Sequence, residues 1–274
     1  MREFLSLLSY PFLYRALIVG VLVSLCAALL GVVLVLKRYS LIGHGLGEVG
    51  FAALSLAVAL DLPPLAVSIP LVVAASFLIM YMSQRSGTSG DIAIGIMATA
   101  ALSFGVIITS VTRGFNIDVS NYMFGSIIAL SSADVWLSVG LSLVVIAMYG
   151  LLFNRLFAIT YDEVNARATG INVTLYQFVI SFLTAITVVL GMRMMGTMLI
   201  SSLIIFPAMI ARRLVASFRG MVLTAAGVSV GCFLIGLYLS YQLSLPTGAC
   251  IVAVNLAALV VSMIVSRLAG LKNR

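Results

Sequence analysis

His44 and Glu48 stand four residues apart in the stretch LIGHGLGEVGFAALSLAVAL, Leu41 to Leu60; they are the chain's one histidine and the one acid set well inside an apolar run. On a helix that spacing projects both side chains from one face, one turn above the other. An imidazole nitrogen and a carboxylate oxygen so placed can chelate a divalent transition ion. Ionisable groups at bilayer depth cost about 2.5 to 3.5 kcal/mol and face an interior or an aqueous path. The plainer alternatives are a mutual hydrogen bond, a His44 at the headgroups, or a Glu48 paired with an arginine. Two ligands are few, but a two-fold dimer would present four around its axis. Gly43, Gly47 and Gly50 run beside the pair and form a smooth stripe that lets another helix come close.

Two further groups have donor chemistry. GMRMMGTM supplies Met192, Met194, Met195 and Met198, soft thioethers that suit a soft ion, although flexible apolar packing or a gate explains them as well. Asp118 and Asn121 could meet an ion on its way in, yet polar residues in a loop are ordinary.

The elements that must carry these residues follow from composition. Of 274 residues 63% are hydrophobic and 8% charged, and the mean hydropathy is +1.25, so lipid is the solvent. Long apolar runs without a period of two select helices over a closed barrel. Nine spans are expected, at Phe12 to Leu36, Leu41 to Leu60, Leu65 to Met82, Ile92 to Thr112, Val135 to Phe153, Val173 to Met192, Met194 to Ala211, Met221 to Leu243 and Ala249 to Ser266. The seventh contains Pro207, so a broken or shortened span is a second option there.

Placing span ends alternately on two sides puts Lys37, Arg38, Arg85, Arg155, Arg167, Arg212, Arg213, Arg219, Arg267, Lys272 and Arg274 together. Arg2, Arg15, Arg113 and Arg193 fall opposite. That asymmetry predicts a cytoplasmic C-terminus and an outer N-terminus. The net charge of +7 is scattered between apolar spans, which argues against nucleic acid as a partner. Arg2 and Glu3 precede an apolar run too long for a signal peptide, so all 274 residues are expected in one transmembrane domain. Cys26, Cys232 and Cys250 form no paired motif and are expected to be buried as small apolar residues.

Two connections are longer than a turn. The outer one, Arg113 to Asp134, has an apolar middle (Tyr122 to Leu130) too short to span, suited to a re-entrant or interfacial helix. The inner one, Asn154 to Asn172, reads as a short polar helix after Asp162 and Glu163, with Ala166 and Arg167 in it and Gly170 stopping it. A polar helix lying under a bundle is a candidate docking surface. Neither lysine, Lys37 or Lys272, follows the glycine of a G-x-x-x-x-G-K-[ST] loop, so this polypeptide is not expected to hydrolyse ATP by a P-loop.

Read as a series, LVLKRYSLIGHGLGEVGFAALSLA, DIAIGIMATAALSFGVII, NYMFGSIIALSSAD, YDEVNARATGINV, GTMLISSLIIFPAMIAR and LSLPTGACIV resemble, in order, the membrane permeases of bacterial ABC importers for zinc, manganese and iron, the ABC-3 family. The resemblance implies an all-α permease of eight to nine transmembrane helices with the vitamin-B12-importer-like fold, in the bacterial cytoplasmic membrane. It implies a homodimer, each copy on a cytoplasmic ATPase subunit that binds ATP, supplied with metal by an extracytoplasmic binding protein. No permanently bound cofactor is implied. It also makes Tyr161 to Gly170 the coupling helix, with Asp162, Glu163, Ala166 and Gly170 in the contact with the ATPase. The family commonly has Asp then His where this chain has His44 then Glu48, and often His at Asn121, which leaves the metal open. A permease for a siderophore or cobalamin-type chelate and a proton-coupled carrier using Glu48 are the competing functions.

Overall fold

The computed structural model describes residues 11–85, 90–112 and 132–268. The outer connection, with Asp118, Asn121 and the Tyr122 to Leu130 stretch, lies outside them.

The described chain is helical: α1 (Pro11–Leu36), α2 (Ile42–Ala59), α3 (Pro64–Arg85), α4 (Gly90–Val111), α5 (Ser132–Tyr161), α6 (Glu163–Ala168), α7 (Val173–Met195), α8 (Thr197–Leu214), α9 (Phe218–Leu243) and α10 (Thr247–Leu268). Among the described residues, all but the six-residue α6 are long and apolar enough to cross a bilayer. Helices satisfy their own backbone, which lipid demands.

The seventh span is continuous. Pro207 sits inside α8 without ending it, and Gly196, at φ +86°, separates α8 from α7 by one residue. A Cβ added at Gly191 would strike the Ile200 side chain, so the chain doubles back at Gly196 and α7 and α8 form a tight antiparallel pair. Only glycine adopts that φ without strain.

The fifth span is longer than its apolar run. The apolar run predicts a span from Val135 to Phe153, but α5 continues past Arg155 to Tyr161. The guanidinium donates to the Tyr176 hydroxyl at 2.7 Å and lies over that ring, so an exposed arginine is paired with α7 and the helix runs on past it. Thirty residues reach about 45 Å, well beyond a hydrocarbon core of roughly 30 Å.

The helices sort into an inner and an outer group. α1, α2, α7 and α8 are mostly buried, whereas α3, α4, α5, α9 and α10 turn broad faces outward. α8 packs on α1, α2, α7, α9 and α10, and α2 on α3, α4, α7 and α8. Close backbone approach makes this possible: an added Cβ at Gly31 of α1 would collide with the Ile204 carbonyl oxygen of α8, and one at Gly236 of α9 would lie 2.6 Å from the Ile251 Cα of α10. Small residues let helices touch where lipid supplies no hydrophobic drive between them.

Several polar groups inside are bonded locally or across helices. Ser55, Thr184 and Thr187 donate to the carbonyl four residues back, and Ser229 of α9 donates to the Ser24 carbonyl of α1 at 2.9 Å. The three cysteines are buried and free, as expected.

Candidate functional site

α2 positions the pair. Ile42, Gly43, Gly45, Leu46, Gly47, Val49, Gly50, Phe51 and Ala53 are buried, while His44 is exposed and Glu48 and Ala52 are half-buried at the same four-residue spacing. Over its first three turns the helix is enclosed except along one open stripe, and the two ionisable groups are on it. His44 Nδ1 stands 3.8 Å from Glu48 Oε1, with side-chain exposures of 50% and 14%. That gap is too long for a hydrogen bond, so the mutual hydrogen bond is not formed. A single ion with bonds of about 2.0 to 2.2 Å can touch both atoms. His44 is also the residue recorded as an ion partner of Glu48 among the described residues, so the arginine alternative finds no support there.

The glycine stripe has a partner within the chain. A Cβ on Gly43 would lie 2.9 Å from Ile204 Cδ1 and 3.4 Å from Ser201 Cα, one on Gly47 3.1 Å from Thr197 Cβ, and one on Gly45 2.5 Å from Ile94 Cγ2 of α4. The approach that small residues allow is thus α8 against α2. Ser201 precedes Arg212, which is exposed in the last turn of α8, by about 16 Å of helix.

No group of three or more His, Cys, Asp or Glu side chains occurs among the described residues. The methionines differ in their surroundings. Met192 and Met195 are buried, and Met195 lies where a Cβ on Gly20 would meet its methyl group at 2.8 Å; Met198 is exposed, and the Met194 side chain falls outside the described part.

The short inner helix forms as its sequence predicts, although Tyr161 belongs to α5. The Asp162 carboxylate caps α6 by accepting from the Asn165 amide at 2.9 Å. At the other end Gly170, at φ +84°, donates to the Arg167 carbonyl and Ile171 to that of Ala166, a Schellman closure. Ala166 is packed inward. Glu163 points back at the bundle: its Oε2 accepts from Lys37 Nζ at 3.3 Å and Gln177 Nε2 at 3.2 Å, and its Oε1 from Arg167 at 2.8 Å. Burial alone would raise the Glu163 carboxyl, but the bonds and charges of Arg167 and Lys37 outweigh it and hold the group below the usual glutamate range. For Lys37 the balance is opposite, since burial lowers its ammonium and Glu163 offsets that only in part. These four predicted residues shape and anchor α6. The outward surface is Val164, 81% exposed, with Asn165, Arg167 and Ala168; an exposed valine in a polar hexapeptide was the signal available in the sequence.

Nine membrane-length helices among the described residues, one of them a largely enclosed helix that carries the imidazole–carboxylate pair, define a multi-pass helical membrane protein. The pattern of the ABC 3 transport family covers residues 9–266, and the chain belongs to that family. It is 27% identical to the manganese import system permease protein ScaB of Streptococcus gordonii, over 97% of this chain and 95% of that one. It is 28% identical to the high-affinity zinc uptake system membrane protein ZnuB of Haemophilus influenzae, over 93% and 97%. Among solved structures, PsaBC from Streptococcus pneumoniae in complex with Fab matches with a TM-score of 0.84 and 26% identity, covering 95% of this chain and 94% of that one.

Proposed function

We propose that this chain is the membrane-spanning subunit of an ATP-driven importer that carries a divalent transition metal, manganese, zinc or iron, into a bacterial cytoplasm. The observation that carries the reading is the His44–Glu48 pair, two unbonded donors 3.8 Å apart on the open stripe of a buried helix. The manganese and zinc systems named among the relatives support the cargo class.

A second copy related by a two-fold axis brings a second imidazole and carboxylate to the ion. Metal delivered by an extracytoplasmic binding protein passes between the copies, and His44 and Glu48 hold it. Four neutral or anionic donors bind loosely enough to let it go. A cytoplasmic ATPase subunit, docked on α6, supplies the energy, and its closure switches access by moving packed helices as bodies. The cation asymmetry supports a cytoplasmic C-terminus and an outer N-terminus. The domain is a single transmembrane unit over residues 1–274.

The test is ATP hydrolysis and uptake by the complex in liposomes, with free manganese, zinc and iron(II), with a metal chelate, and without the ATPase subunit. Stimulation and uptake with a free ion, dependent on the ATPase, are expected. Stimulation by the chelate alone, or uptake driven by a proton gradient without the ATPase, would contradict the reading.

A further inference from the structure

Lys37 and Glu163 join two parts of the chain that lie 126 residues apart. Glu163 opens α6, the helix assigned above to ATPase docking, and the inference rests on that assignment. Lys37 closes α1, and the turn that follows it runs straight into α2, with His44 seven residues on. The lysine side chain is 11% exposed and the glutamate 39%, so the contact joins a sheltered ammonium on the bundle to a carboxylate at its edge.

The turn is built to transmit displacement. Arg38 sits at φ +62°, a left-handed conformation that non-glycine residues seldom adopt. It is held there by a Schellman closure, in which Arg38 donates to the Val35 carbonyl at 3.2 Å and Tyr39 to that of Leu34 at 2.9 Å. Tyr39 then donates from its hydroxyl to Ser83 Oγ at 3.0 Å, and its ring covers Gly90 so closely that an added Cβ would lie 2.6 Å away. The turn is thus braced by α3 and α4 on one side and by Lys37 on the other. A Cβ on Gly31 and a Cβ on Gly43 would both meet Ile204, and Lys37 lies six residues, about 9 Å, beyond Gly31 on α1. The tie is therefore roughly two turns of helix from the level of the His44–Glu48 pair.

We propose that the Lys37–Glu163 ion pair is a positioning contact through which movement of α6 reaches the α1–α2 turn and, through it, His44 and Glu48. Both residues act on transport through others and touch no ion. Removing Lys37 leaves Glu163 bonded to Arg167 and Gln177, so α6 remains capped and anchored.

The experiment measures manganese ions taken up per ATP hydrolysed by the assembled complex in liposomes, together with co-purification of the ATPase subunit. Lys37→Met keeps the complex and its rate of ATP hydrolysis but carries at least about fivefold fewer ions per ATP, and Lys37→Arg keeps the parent ratio. Combining Lys37→Met with Glu163→Gln lowers the ratio no further than either alone, as a direct contact requires. A parent ratio in Lys37→Met, additive losses in the double variant, or a Lys37→Met complex that falls apart would each overturn the proposal. Docking is read separately: Val164→Asp should abolish co-purification, and a Val164→Asp chain that still binds the ATPase would overturn the docking assignment without touching the ratio measured for Lys37.

Discussion

A carboxylate inside an apolar helix has to be compensated or used, because its transfer to mid-bilayer costs about 2.5 to 3.5 kcal/mol. Glu48 has an imidazole beside it and no direct hydrogen bond to it. This pair was legible in the sequence because the chain holds one histidine and the acid interrupts an apolar run. What the glycines beside it do was not legible, since a smooth stripe looks the same whether it faces a second copy, an ion path or the chain's own α8. The backbone contact makes residue-scale consequences sharp. Gly31→Ala should destabilise the detergent-solubilised protein by about 1 to 3 kcal/mol, because the Ile204 backbone cannot give way. Gly95→Ala has nothing within 4 Å of the new Cβ and should be neutral or slightly stabilising. Thermal unfolding of both variants checks this, and equal melting temperatures would refute the packing described.

At the scale of elements, α6 shows which signals survive in a single sequence. An aspartate cap, an acidic first turn and a terminating glycine are local, and together they predict the helix. Its anchor is not local: Lys37 comes from another helix, and no spacing rule connects it to Glu163. The end of α5 was misjudged for a related reason, because Arg155 is satisfied by Tyr176 from the next long helix. The charge on Glu163 also sets a pH dependence. Its carboxyl is held below the ordinary glutamate value of about 4.3, so its contribution is complete above that value and is lost as pH falls through the lowered one. Hydrogen exchange of α6, corrected for intrinsic rates, should be unchanged from neutral pH down to about 5 and lose protection only in stronger acid. Loss of protection between about pH 7 and 6 would contradict the bonding around Glu163.

For the whole molecule, the nine apolar runs announced the membrane and the helix count, and Gly196 is the break that lets the seventh run stand as its own helix. Which helices lie inside could not be read in the same way. Lipid and protein interior are equally apolar, so the amphipathic contrast that marks the core face of a soluble helix is absent. α4 and α5 read as the same kind of apolar segment as α7, yet α4 and α5 turn most of their surface outward and α7 is mostly enclosed. Over its first three turns α2 keeps one open stripe, and transport is assigned to it.

The most direct test is uptake of manganese and zinc by liposomes containing the complete complex with His44→Ala and Glu48→Ala combined. The double variant should assemble with its ATPase subunit and hydrolyse ATP, yet take up neither metal above background. Uptake at the parent rate from the same assembled complex would show that the ion does not pass by these two side chains.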